Sequence, residues 1–289
     1  MADNSRAINR VFTKNVLTDL LTEGRNVVFD YVVKRYVNDP ESKTHGEIFS
    51  EIYSYLGKQK RNEYYYMNTL LNRIFVGYHS VNTTCALSQV RIAQHIADFV
   101  MINGEGKVYE IKSNLDNLDR LNDQLSDYFK AFSKVVVLTT PHEYAKVFML
   151  LERLGDMGDM VGVYIMNNRD SYFSAIDRRE PKEYTSNLEH SCIFKLLRKR
   201  EYENVVKGYY GTLPKTVPVR HFRECLDWFS QIPILEAQQL ACQELKKRNI
   251  ITKIEYDSIQ TELKSVVYFS GFFRKLPDLE QLLNAAYRR

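Results

Sequence analysis

Apolar residues in the first sixty positions recur at close to helical spacing. In SRAINRVFTKNVLTDLLTEG they fall at Ile8, Val11, Phe12, Val16, Leu20 and Leu21, and Gly24 stands where a helix would stop. Val28, Tyr31, Val32 and Tyr36 carry a second helix that ends before Pro40. Thr44, with Glu47 three residues on, predicts the start of a third that ends at Gly57. Tyr66, Leu70, Leu71 and Ile74 predict a fourth over 61–75. The period then changes. Segments 86–92, 96–102 and 107–113 read as strands, followed by a helix over 117–132. KVVVLTT is a continuous β-branched run of the kind found in a buried strand, and Pro141 lies near the start of another helix. MVGVYIMNN and SYFSAID read as two further strands, and RREPKEY as a charged connector. Beyond residue 186 the chain is mostly helical, most clearly in HFRECLDWFSQI, EAQQLACQELKKRN and IEYDSIQTELKSVVYF. The order is helix, three strands, helix, strand, helix, strands. It predicts an α/β protein in which a meander feeds a crossover. The expected divisions are an N-terminal helical region over 1–57, a core over 58–178 and a C-terminal helical region over 179–289.

Composition narrows this only a little. The 289 residues are 44% hydrophobic and 26% charged, ordinary for a globular chain, with a net charge of +4. A nucleic-acid partner would therefore be met by a local patch, not by a global field. Lys58, Lys60 and Arg61 form one small basic run, and KLLRKR forms another. Each reads as a solvated face or as phosphate contacts. Cys85, Cys192, Cys225 and Cys242 are scattered, with no C-x-x-C pair and no His at zinc-ligand spacing, so buried thiols in a reducing compartment are expected. The N-terminus has no apolar run of signal-peptide length, and nothing approaches the ~18 residues of a membrane span. A cytoplasmic location with no membrane partner is expected. The 20 Tyr and 15 Phe suit either stacking on bases or amphipathic packing.

The strand pair IADFVMINGEGKVYEIKS contains charges that a core does not want: Asp98, Glu110 and Lys112. Residues two apart on a strand share a face, so Glu110 and Lys112 point the same way. Asp98 joins them only if the hairpin loop has odd parity. A three-residue loop, Gly104-Glu105-Gly106, pairs Asn103 with Lys107 and sets Asp98 opposite Lys112, with Gly106 in the left-handed region. Two carboxylates brought together repel, and a hard divalent cation such as Mg²⁺ or Mn²⁺ relieves that repulsion. Such an ion can polarise a phosphoryl oxygen, while an adjacent Lys stabilises charge developing on the phosphate. The alternative is a solvated hairpin face with a salt bridge. His79 and His95 are further acid–base candidates, each of which also reads as a structural or exposed histidine.

The pattern D-(x)11-E-I-K, with Asp98, Glu110 and Lys112 in place, resembles the signature of the PD-(D/E)XK nuclease superfamily. Ala97 stands where the name has proline. Gln124 and Tyr128 in QLSDY make a Gln-x-x-x-Tyr on the following helix, similar to the RecB-type branch, and share a helix face. The wording of 61–140 also resembles a bacterial group of this superfamily. The resemblance implies a restriction-endonuclease-like core, a mixed central sheet flanked by helices, with helical N- and C-terminal extensions. It implies metal-dependent cleavage of nucleic acid, with DNA the expected substrate. Asp98 and Glu110 would hold Mg²⁺ or Mn²⁺, with Glu63 on the preceding helix as a third acid. Lys112 would assist catalysis, and Gln124 and Tyr128 would meet it or a phosphate. The branch often carries an iron–sulfur cluster on four clustered cysteines. The scattered cysteines here lead us to expect none. A homo-oligomer formed through the helical extensions is a further expectation. The rival reading is a nucleic-acid-binding or protein-interaction module on the same scaffold, without turnover.

Overall fold

The computed structural model describes residues 5–59, 61–73, 81–113, 116–166, 179–248 and 251–288. Five helices come first: α1 (Ser5–Ile8), α2 (Lys14–Glu23), α3 (Val27–Tyr36), α4 (His45–Gln59) and α5 (Glu63–Arg73). Strands β1 (Cys85–Ile92), β2 (His95–Asn103) and β3 (Glu105–Lys112) follow, then α6 (Leu121–Tyr128), β4 (Lys134–Thr139), α7 (Tyr144–Arg153), α8 (Asp156–Met160) and β5 (Gly162–Ile165). The chain continues through α9 (His190–Lys195), α10 (Lys199–Tyr210), α11 (Pro218–Phe229), α12 (Ile234–Lys246), α13 (Lys253–Ser258), α14 (Lys264–Ser270) and α15 (Leu276–Asn284). The strand expected over 171–177 lies outside the described residues, as do Lys60 and His79.

Two compact units divide the chain, 1–82 with 251–289, and 83–250. This partition differs from the three consecutive regions expected from the sequence. Helix α5 groups with the N-terminal helices, α9–α12 group with the sheet, and the last helices return to the first unit. In that unit α2 ends on Gly24 at φ +68, and Thr44 and Glu47 cap α4 reciprocally, both as the residue pattern predicts. The segment IEYDSIQTELKSVVYF is broken rather than continuous, because Ile259 is extended and a 3₁₀ turn over Thr261–Leu263 separates α13 from α14.

The second unit is built on a five-stranded mixed sheet in the order β1-β2-β3-β4-β5. The first three strands form an antiparallel meander, and β3, β4 and β5 run parallel. The parallel joins cross over through α6 and through α7 with α8, as a parallel pair requires. One face of the sheet presents Val100, Ile102, Val108, Val135, Val137 and Val163 to a single core. Leu121, Leu125 and Tyr128 of α6, with residues of α9–α12 such as Ile193, Val206, Phe229 and Leu245, complete that core. Phe99, Tyr109 and Tyr164 make an aromatic row on the other face.

Two local features set the geometry of the meander. Gln89 lies in the left-handed region at φ +52, and the register steps from Ser88↔Phe99 to Val90↔Ala97. Cys85 and Leu87 on one side of it, and Val90 and Ile92 on the other, all reach the same core although the parity changes. The left-handed residue therefore turns the strand over, at a cost of about 1–3 kcal/mol, and Asp98 is the residue opposite it. The second feature is Gly106. A Cβ there would stand 2.4 Å from the Phe132 ring and 3.1 Å from Cys242 Sγ, so the glycine lets the sheet approach α12. Gly106→Ala is expected to lower stability by about 1–3 kcal/mol through overpacking. The midpoint of urea unfolding measures it, and an unchanged midpoint would show that Phe132 can move aside.

Candidate active site

The hairpin register corrects one expectation and keeps another. Gly104 at φ +77, not Gly106, makes the reversal, and Ile102 pairs with Gly106. The loop is thus two residues tighter than the Asn103–Lys107 pairing predicts. Carried one step past Phe99↔Tyr109, the register sets Asp98 opposite Glu110 instead of Lys112. The reason is steric: Gly106 is needed inside the strand against Phe132, so the turn falls to Gly104. The odd parity survives the shift. Asp98 also replaces a rung of the ladder, since its Oδ2 accepts the Ile111 backbone N–H at 2.8 Å.

Glu110 and Lys112 face α6 instead of solvent, so the solvated-hairpin alternative does not describe them. They form an ion pair at 2.8 Å with side chains only 2% and 9% exposed. Helix α6 starts late, at Leu121, because Asn117 accepts the Asp119 N–H in a local turn. Its i, i+4 spacing then brings Gln124 and Tyr128 onto the pair. Gln124 Nε2 donates to Glu110 Oε1 at 2.6 Å, and its Oε1 accepts from Lys112 Nζ at 2.9 Å. A carboxylate only accepts and an ammonium only donates, so this amide orientation is the one that satisfies both. The Tyr128 phenol donates to Glu110 Oε2 at 2.7 Å, and its oxygen lies 3.0 Å from the Ile96 carbonyl. Burial, then the charge and hydrogen bond of Glu110, then the charge of Asp98, push the Tyr128 phenol far above its ordinary value. It stays a neutral donor at any physiological pH.

Asp98, Glu110, Lys112, Gln124 and Tyr128 therefore converge from β2, β3 and α6. Glu63 opens α5 in the other unit. Among the described residues no three His, Cys, Asp or Glu side chains gather into a metal-binding group. Asp98 and Glu110 offer hard oxygen donors that suit Mg²⁺ or Mn²⁺, ions commonly held by one or two carboxylates with water and substrate phosphate. Glu110 Oε1 already accepts from Lys112 and Gln124, whereas among the described residues Oε2 accepts from Tyr128 alone. One lone pair of Oε2 thus fits an ion.

The other candidates fall elsewhere. His95 is bound through Nδ1 to Asp127 at 2.7 Å, a structural role. Burial works to raise Asp127, but bonds from Lys130, His95 and the Gln94 N–H outweigh it and hold the carboxyl below its ordinary value. Arg61 donates to the Gly57 carbonyl, and Arg198, Lys199 and Arg200 are exposed at the start of α10. The four cysteines are buried and not disulfide-bonded. No helix among the described residues is long and apolar enough to cross a membrane. Residue patterning gave no weight to Thr139, which pairs with Lys112 across β3 and β4. Its signal was a polar ending to the buried run KVVVLTT.

Fold and site define an α/β protein with a mixed five-stranded sheet and a buried carboxylate–lysine cluster beside it. The chain belongs to the bacteriophage P4 protein cII family, whose model matches residues 57–263. Protein cII of Enterobacteria phage P4 is 25% identical over 161 residues, 55% of this chain and 57% of the phage protein. The chain thus spans little more than half the length of that relative. No solved structure matches it.

Proposed function

We propose that the chain hydrolyses phosphodiester bonds in nucleic acid, DNA foremost, with a PD-(D/E)XK-type site on a restriction-endonuclease-like core. The observation that carries this reading is the buried set of Glu110, Lys112, Gln124 and Tyr128 beside Asp98. Burying an ion pair and its polar partners contributes little to stability compared with apolar packing, so such a set more often serves a site. The meander followed by a helical crossover to a parallel strand supports the fold assignment.

Asp98 and Glu110 would hold Mg²⁺ or Mn²⁺, which supplies charge neutralisation at the phosphate and a more acidic water. Gln124 and Tyr128 fix the orientation of the Glu110 carboxylate by donating to it. Lys112 is held by Glu110 and Gln124 with its charge beside the carboxylates, placed to offset charge that grows on the phosphate. The second reading, a binding module without turnover, is favoured by one fact: Lys112 and Glu110 neutralise each other directly.

Cleavage separates the two. Linear and circular, single- and double-stranded DNA and RNA are incubated with Mg²⁺ and with Mn²⁺. Strand scission that stops on chelation is expected for at least one DNA substrate. Intact strands in every combination would overturn the proposal in favour of the silent module.

A further inference from the structure

Thr139 is the last residue of β4 and the register partner of Lys112 on the neighbouring parallel strand. Paired residues on adjacent strands project to the same face. Thr139 therefore lies on the face of Glu110 and Lys112, at the C-terminal edge of the parallel strands where α/β sheets place their ligands. The residue is 1% exposed, and its Oγ1 is buried with no hydrogen-bond partner among the described residues. An orphaned buried hydroxyl is uncommon in a native core and calls for a cause. Valine would fill the same volume, and the strand already carries Val135, Val136 and Val137.

Lys112 adds an independent observation. An ammonium has three donors. Two are used, one on Glu110 and one on Gln124. Two donors at one register position, on adjacent strands and the same face, are thus left over from the network among the described residues. A single oxygen that accepts from both would satisfy each. The ammonium charge selects an anionic oxygen, and a phosphate oxygen offers the lone pairs to accept twice.

We infer that the Thr139 hydroxyl and the third N–H of Lys112 together seat a non-bridging phosphate oxygen of the nucleic-acid substrate. This rests on the phosphodiester reading above, and it names a substrate-contacting residue that the Asp, Glu, Lys, Gln and Tyr pattern does not contain. The hydroxyl is left unsatisfied in the unliganded protein, at some loss of stability, and is satisfied when substrate enters and the side chains that cover it move aside.

The test compares wild type, Thr139→Val and Thr139→Ser in two measurements. One is the melting temperature without ligand. The other is binding of a fluorescent DNA oligonucleotide in Ca²⁺. Thr139→Val is expected to melt at or above the wild-type temperature and to bind about 10- to 100-fold more weakly, the range for losing a hydrogen bond to a charged group. Thr139→Ser, which keeps the hydroxyl, is expected to retain most of the affinity. Wild-type affinity in Thr139→Val, equal weakness in both variants, or a lower melting temperature for Thr139→Val would each overturn the inference. The last would mean that the hydroxyl is already satisfied. If wild type binds no oligonucleotide, the phosphodiester reading itself falls, and this inference with it.

Discussion

Lys112→Ala is expected to lower folding stability by about 3–5 kcal/mol, because it strands a buried carboxylate. Glu110 is 2% exposed, and its nearest positive charge is Lys112 at 2.8 Å. Gln124 and Tyr128 would remain as neutral donors, which soften the loss without replacing the charge. On the solvated-hairpin alternative the same truncation would leave folding intact. Burial of the pair against α6 overturns that view. The consequence is practical: absent cleavage in Lys112→Ala would not distinguish a lost catalytic group from a lost fold. The double variant Glu110→Leu/Lys112→Met removes both charges and fills similar volume. It is expected to recover most of the single variant's loss. Urea unfolding of wild type, Lys112→Ala and the double variant measures it. A single variant within about 1 kcal/mol of wild type would match an exposed pair, and would show that the cluster is open to water.

Asp98→Asn is the cleaner probe of chemistry. Asparagine keeps the shape and an oxygen that can accept the Ile111 N–H, so the ladder substitution at 2.8 Å persists. Only the negative charge is removed. Stability is expected to change by less than about 1 kcal/mol, the net value of a typical hydrogen bond. Cleavage is expected to fall by about 10³ or more, as loss of several kcal/mol of cation stabilisation implies. Wild-type cleavage in this variant would remove Asp98 from the site.

Most of this arrangement is written in the local pattern. The change of apolar period after residue 85 and the run Val135–Val137 place the meander, the crossover and α6 without tertiary information. Face sharing by Glu110 and Lys112, and by Gln124 and Tyr128, follows from strand and helix geometry alone. The register of β2 on β3 does not. It depends on which glycine the Phe132 ring requires, a contact across twenty-six residues of chain. The turnover at Gln89 is equally hidden, since a left-handed glutamine has no residue-type signature. The grouping of α9–α12 with the sheet is long-range, because their apolar faces would fit any core. Thr139 carries only the weak signal of a polar ending to a buried run, because an unpartnered hydroxyl exists only in three dimensions.

In the proposed site Asp98 and Glu110 jointly present oxygen to a divalent cation. Thermal unfolding in rising Mn²⁺ tests it most directly, with wild type and Asp98→Asn run side by side. Wild type is predicted to gain about 2.7 kcal/mol once the ion reaches a hundredfold excess over its dissociation constant, and Asp98→Asn is predicted to lose that gain. Equal gains in both proteins, or none in either, would contradict it.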